Sequence, residues 1–322
     1  MIVAIIMILT DWLMVGVTKL VYSSKVTWRQ GMLFGVHVPG DVAELPEVKT
    51  MIEKYQSWMK AFYRWHFVIG TVICFLGMWY MSIFFIAWTV WMTAFFIGVM
   101  GKVWQTHRHM YELKMQKGWY EVTSEEEQVT SAVDSKTAAR TAKMAAPMYI
   151  DDDYYWRNGW YSNPDDRRLF IQDRYNSMNY TMNLGRTAGK VITGITYGLL
   201  IVMMAGFCLW LLKIDFTPVR MRMTDTTVTV TSGYSNISFD RNEIEDVQLL
   251  DALPDDNFYK INGSADGKQY LGKFKGKETG KCQMYVTLDV TPILEIKTPE
   301  YTIFINSREG GMAESWYQEL KQ

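Results

Sequence analysis

Cysteine is scarce in this chain. The three that occur, Cys74, Cys208 and Cys282, lie far apart, and two of them fall inside apolar runs. No disulfide framework and no paired-cysteine metal site follows from that spacing. An excess of either charge is also missing. The net charge of -1 gives no global electrostatic reason to expect nucleic acid as a partner. Catalytic signatures are absent too: there is no Walker loop, GxSxG or HExxH. Without a nucleophile–base or metal constellation, the reading is a non-enzyme with no catalytic residue, cofactor or metal site.

Charge itself is missing from long stretches. Residues 66–100 contain no Lys, Arg, Asp or Glu. At about 1.5 Å per residue that run would make a helix of about 50 Å, too long for one bilayer crossing. A helical hairpin resolves this, with Trp79 and Tyr80 as interfacial aromatics at its turn. Its first arm starts near Ala61 and its second spans about 83–103. A first apolar block covers residues 2–20. It lacks a basic leader and a small-x-small cleavage site, so it reads as a retained helix. A last block, 191–212, is bounded by Lys190 and Lys213. Its Gly194 and Gly198 form a small-xxx-small pair, a candidate for close helix packing.

The fold class expected is a membrane all-α bundle of four transmembrane helices, followed by a β-rich barrel with a terminal helix. The domain division is 1–104 for three helices and an amphipathic loop, and 105–190 for a linker and an aromatic motif. The fourth helix takes 191–213 and the soluble domain 214–322. Lys/Arg residues flank the two long loops, at Lys25, Arg29, Lys60 and Arg64 and at Lys102, Arg108, Arg186 and Lys190. The loops are therefore expected in the cytoplasm, with both termini extracellular in a multi-pass cell-membrane protein.

In the first long loop, residues 45–59 read as an amphipathic helix lying on the membrane, with Pro46 in its first turn. In the second, Glu125 to Pro147 reads as a flexible linker. After it, residues 151–170 are dense in aromatics and turn formers. Trp156, Trp160, Asn163, Asp165, Asp166, Arg168 and Phe170 are its candidate docking residues. So many rings are too large a load for so short a segment to expose or to bury alone. The segment is expected to pack on the loop between the first two spans as one cap, with Arg167 and Arg168 reaching anionic headgroups or Glu44 and Glu47. Beyond the last span the apolar period becomes two: Val219, Met221 and Met223, then Val228 and Val230. Candidate strands follow at 236–239, 247–250, 270–274, 283–288, 293–296 and 301–305, and an amphipathic helix at 308–322.

Among polar residues, Asp11 stands out. A mid-span acid is costly in hydrocarbon and is a candidate functional group, expected to face the bundle. His107 and His109, two residues apart on a helix, point to different faces and are poorly placed to share a metal. The acidic runs 151–153 and 165–166 lack EF-hand spacing, and Asp165 and Asp166 read as turn formers.

Three resemblances follow from these residues. Trp156, the turn Asn163-Pro164-Asp165-Asp166, Arg168, Leu169, Phe170, Arg174 and Asn183 resemble a short domain of unknown function found in uncharacterised bacterial membrane proteins. The loop Leu33-Phe34-Gly35-Val36-His37-Val38-Pro39 is similar to one in membrane proteins related to the SdpI immunity family. The C-terminal strands resemble the bacterial pleckstrin-homology-like domain. Together they imply a bacterial, Gram-positive membrane protein of unassigned function.

The function expected is a non-enzymatic membrane scaffold or regulator whose C-terminal domain binds a protein, peptide or lipid. An immunity or sensor protein against a secreted peptide or envelope stress is an alternative. A small transporter or channel subunit is another. The partners expected are the lipid membrane and another membrane or envelope protein, without nucleic acid.

Overall fold

The computed structural model describes residues 2–23, 26–28, 31–119, 152–174 and 179–321. The expected linker and several residues singled out above (Lys25, Arg29, Asp151) lie outside the described residues. The chain forms two compact units. One comprises Met1–Phe75 with Ile86–Met204, the other Leu76–Phe85 with Ala205–Gln322.

Four helices are long and apolar enough to cross a membrane. They are α1 (Ile2–Ser23), α2 (Pro46–Cys74), α3 (Met81–Lys117) and α4 (Thr187–Phe216). Along α4, Ile195, Leu199, Leu200 and Val202 are all exposed, more apolar surface than a water-soluble helix tolerates. That exposure is consistent with a membrane protein.

The first unit is centred on α1, α2 and α3, with Val15, Tyr55, Met59, Tyr63, Phe95 and Val99 in its core. The residues expected to form a separate surface-lying helix are part of α2 itself. Pro46 occupies its first turn as expected, but nothing interrupts the helix until Cys74. Val48, Tyr55, Met59 and Tyr63 make one buried stripe at helical spacing, so packing carries the axis straight through. Within the described chain, close approaches between helices occur at two other glycines. A Cβ at Gly70 would lie 2.7 Å from the Trp91 ring, and one at Gly98 would lie 2.5 Å from Phe62. At Gly194 and Gly198, no described atom of this chain comes within 4 Å of a Cβ. A close partner at that pair must come from outside the described chain.

The second unit is β-rich. Strands β5 (Arg220–Met223), β6 (Thr227–Thr231) and β7 (Asn236–Asp240) form an antiparallel meander. Two more pairs precede them in the first unit: β1 (Met32–Leu33) with β2 (Val36–His37), and β3 (Phe170–Gln172) with β4 (Tyr180–Met182). The larger sheet comprises β8 (Asp246–Leu250), β9 (Tyr259–Ala265), β10 (Gln269–Gly276), β11 (Gly280–Thr287), β12 (Ile293–Lys297) and β13 (Thr302–Ile305). Its order is β8-β12-β13-β11-β10-β9, antiparallel except for the parallel β11–β13 pair. The terminal helix α5 is Met312–Leu320.

In β6, Val228 and Val230 are buried while Thr227, Thr229 and Thr231 are only partly so, the alternation read from the sequence. They join Leu271, Tyr285, Leu294, Ile303 and Trp316 of α5 in one core. The hydrogen bonding resolves into two open sheets rather than one closed barrel ladder. Strand β9 escaped the sequence reading. Its apolar alternation is confined to Tyr259 and Ile261, stops at Gly263, and lies exposed at a sheet edge.

The join between helix and sheet domain is short and tied down. Strand β5 starts four residues after α4 ends. The Asp215 carboxylate accepts from the Ser82 N–H at 2.8 Å, so the turn before α3 lies beside the end of α4. Arg308 donates to Asp215 O at 2.6 Å and to Gln269 Oε1 at 3.0 Å. Gln269 Nε2 donates to Ile214 O at 3.3 Å. Tyr80 packs on Phe216 and carries Lys268 over its face.

Candidate functional site

The two long loops meet at one buried carboxylate. Strands β1 and β2 form a hairpin whose two-residue tip, Phe34-Gly35, has positive φ at both positions (+52° and +75°). That is the backbone a tight hairpin requires, and it is strained for Phe34. The Phe34 ring is buried edge-on against Tyr55 at 5.3 Å, which holds it there. The strained tip turns its carbonyls toward partners. Arg174 donates to Gly35 O at 3.1 Å. The two ring nitrogens of His107 lie 2.9 Å from Phe34 O and 2.8 Å from Trp156 O. His107, on α3, thereby bridges the hairpin to the aromatic segment. A neutral imidazole supplies one N–H to these two carbonyls, and a protonated one supplies both.

Asp153 is the centre of the junction. It begins a single helical turn, Asp153–Trp156, and is completely buried. Its Oδ2 accepts from the His37 N–H at 3.0 Å and from Lys114 Nζ at 2.6 Å. Its Oδ1 lies 2.9 Å from His37 Nδ1 and also accepts from Arg174. Arg174 reaches Asp152 as well and lies over the Trp156 ring at 5.1 Å. Three separate stretches, the hairpin, α3 and the bend following β3, thus converge on one side chain. Burial alone would raise the pKa of Asp153. The His37 hydrogen bond and the charges of Arg174 and Lys114 outweigh it and hold the carboxyl well below its usual range.

The sign of the linkage follows. A depressed folded pKa gives stability that is present above the unfolded value, near 3.9, and is lost as pH falls through the folded value. Hydrogen-exchange protection across 152–174 is therefore expected to be unchanged between pH 7 and pH 5, as far as this carboxyl governs it.

His37, Asp152 and Asp153 present donor atoms within 4.8 Å of one another, a set that resembles a metal nest. Their chemistry points to charge balance instead. Two carboxylates meet two cations, Lys114 and Arg174, and a divalent ion would have to displace both.

The rest of the segment is organised by Asn183, which is 0% exposed. Its Oδ1 accepts from the N–H groups of Asn163 and Gly185, both at 3.0 Å. Its Nδ2 donates to the carbonyls of Asn163, Asp166 and Arg168. The Asn163 side chain accepts from the N–H groups of Asp165 and Asp166, and Asp166 pairs with Arg168. Asp165 and Asp166 are thus turn residues in a loop pinned to the start of α4.

Trp156 and Tyr161 are buried, and Trp160 packs edge-on against Trp104 of α3 at 5.3 Å. Phe170 departs from the expected docking set, with 62% of its surface exposed on β3. Of the two sets of partners expected for Arg167 and Arg168, the acidic residues Glu44 and Glu47 are taken by lysines. Glu44 pairs with Lys49 and Glu47 with Lys117, while Arg168 turns back to Asp166. The segment meets the hairpin at 34–37 and α3. Gly159 sits at φ +96° with its Cα against Trp104; a Cβ there would lie 2.4 Å from the ring. Gly159→Ala is expected to loosen this contact by about 1–3 kcal/mol, read as faster exchange at 156–161.

Asp11 is 1% exposed and faces α2 and α3. It accepts from Trp88 Nε1 at 2.8 Å and from the Cys74 thiol at 3.3 Å. Its donors are therefore a cysteine of α2 and a tryptophan of α3. His107 and His109 are parted as helical geometry requires, His107 inward and His109 in a surface cleft.

Sequence reasoning missed Lys114, and also the joint role of His37 and Asp153. A signal existed for the first: Val103, His107, Met110 and Lys114 continue a buried helical stripe, and two of its positions are polar.

No curated protein and no solved structure matches the chain. Residues 219–310 match the family of bacterial PH domains, which covers the two sheets of the second unit.

Proposed function

We propose that this chain is a non-enzymatic membrane scaffold or regulator whose PH-like domain is its binding module for a protein, peptide or lipid. Domains of this kind commonly bind proteins or lipids. The observation that carries the reading is the PH-family match at 219–310, on a domain fixed to the end of α4. A binding domain held that close to a membrane helix samples few orientations, which suits a fixed surface platform. The further resemblances, to a domain of unknown function and to the SdpI group, are readings of residues 151–185 and 33–39 alone. We read both termini as extracellular from the Lys/Arg flanks of the long loops. The contact of Ser82 with Asp215 supports a common side for the α2–α3 turn and the PH-like domain.

Photocrosslinking tests the binding reading. Tyr259 and Ile261 are exposed on the edge strand β9, so a photoreactive residue at 261 samples what approaches that sheet. In native membranes a discrete protein, peptide or lipid adduct is expected. It should vanish in Trp316→Ala, which opens the domain core at a cost of about 3–5 kcal/mol. The same pattern with and without Trp316 would contradict a folded binding module.

A further inference from the structure

A cleft of about 430 Å³ lies between α2 and α3, away from the Asp153 cluster. Its walls include Thr50 and Lys54 from α2 and Lys102, Gln105, Arg108 and His109 from α3. We propose that this cleft is a binding site for a phosphate group at the membrane surface.

The argument starts from charge. Neighbouring lysines are already paired: Lys49 with Glu44, Lys117 with Glu47 and Lys114 with Asp153. Lys54, Lys102 and Arg108 have no carboxylate within 4 Å among the described residues. Three cations held in one concave site, none of them in an ion pair among the described residues, favour an anionic ligand.

Hydrogen bonding narrows the ligand. The hydroxyls in the cleft are spent on backbone: Thr50 on Pro46 O, Thr106 on Lys102 O and Tyr55 on Tyr22 O. Gln105 Oε1 accepts from Lys102 Nζ at 3.3 Å, so its amide NH2 is the donor it has left. The donors left for a ligand are cationic or amide N–H groups, a set that suits phosphate oxygens.

Depth along the helix places the site. Residues 81–101 of α3 carry no charge and extend about 30 Å, the thickness of the hydrocarbon core. Lys102 is the first charge beyond them and lies over the Trp58 ring at 5.6 Å, an interfacial pairing. Arg108 is about 9 Å further along the axis, so the two bracket a headgroup layer several Å thick. Glu47 and Glu112 also line the cleft. Lys117 neutralises Glu47 at 2.9 Å, which leaves Glu112 as the group opposing an anion.

A lipid phosphodiester and a free phosphate share this chemistry, and two probes separate them. The full chain in neutral detergent is titrated with phosphatidylglycerol, read by native mass spectrometry, and with inorganic phosphate, read by calorimetry. Binding of the lipid alone identifies a headgroup site, and binding of phosphate alone a soluble-anion site. In either case Lys102→Gln with Arg108→Gln should weaken binding about tenfold, whereas Lys49→Gln should leave it unchanged. Glu112→Gln leaves the cations in place and should tighten binding about two- to fivefold. Equal affinity in wild type and the Lys102/Arg108 variant, no binding of either probe, or weaker binding in Glu112→Gln would each overturn the proposal.

Discussion

Replacing Asp153 with alanine is expected to open the junction between the two loops. The substitution leaves Lys114, 2% exposed, and Arg174, 7% exposed, facing each other without their shared carboxylate. Breaking a buried ion pair from one side costs about 3–5 kcal/mol, because the remaining charge stays desolvated. Exchange at residues 152–174 and 34–37 should speed by two to three orders of magnitude, on the order of that free energy. The surface pair Glu44–Lys49 supplies the contrast. Both partners are exposed, so Glu44→Ala should change exchange by a factor corresponding to about 1 kcal/mol at most. A second variant separates charge from shape. Asp153→Leu with Lys114→Met removes one anion and one cation together and should recover most of the loss, since apolar replacement of a buried pair is often neutral. If Asp153→Ala exchanged like wild type, the carboxylate would not be what holds the loops together.

Asn183→Leu should be comparably damaging, by a different route. The side chain keeps its volume but loses five hydrogen bonds, three given to carbonyls and two accepted from N–H groups. Each backbone group left buried without a partner costs about 1–3 kcal/mol. Not all five become dry, so a total of several kcal/mol is the scale, about 3–5. Asn183→Asp is a sharper test. It keeps the acceptor oxygen for Asn163 and Gly185 but turns the donor into a second acceptor against three carbonyls. The loop 163–168 should then detach while the hairpin at 33–36 keeps its protection. Limited proteolysis reports the difference: cleavage near 163–168 is expected in both variants. Cleavage confined to wild-type levels would show that the loop is held by something other than Asn183.

The sequence shows its long-range order only where one element declares itself alone. The uncharged run 66–100, with Trp79 and Tyr80 at its middle, marks two helices because no single crossing is that long. Val228 and Val230 mark a strand because its two faces meet different surroundings. Strand β9 has both faces largely exposed and its short apolar face, Tyr259 and Ile261, ends at Gly263, which leaves too weak a mark. The α2 helix was harder for the opposite reason. Its charged first half and apolar second half look like two elements, and only the buried stripe through Tyr55, Met59 and Tyr63 makes them one. The ionic cluster lies beyond any local pattern. His37 and Asp153 are 116 residues apart, and each alone reads as a loop residue. The aromatic load of 156–161 did announce that the segment must pack on something. Which helix face received it depended on Trp104, His107 and Lys114, and their inward direction is set by tertiary packing.

We propose that both termini are extracellular and the two long loops cytoplasmic. Cysteine accessibility in intact cells tests it most directly. Cys74 and Cys282 are buried, so a variant with Cys208→Ala gives a low background. Single cysteines are then placed at Ser264 in β9 and at Arg157, an exposed residue of the cap. A membrane-impermeant maleimide should label position 264 in intact cells and position 157 only after permeabilisation. Labelling of 157 but not 264 in intact cells would reverse the orientation, and labelling of both would contradict the four-span arrangement.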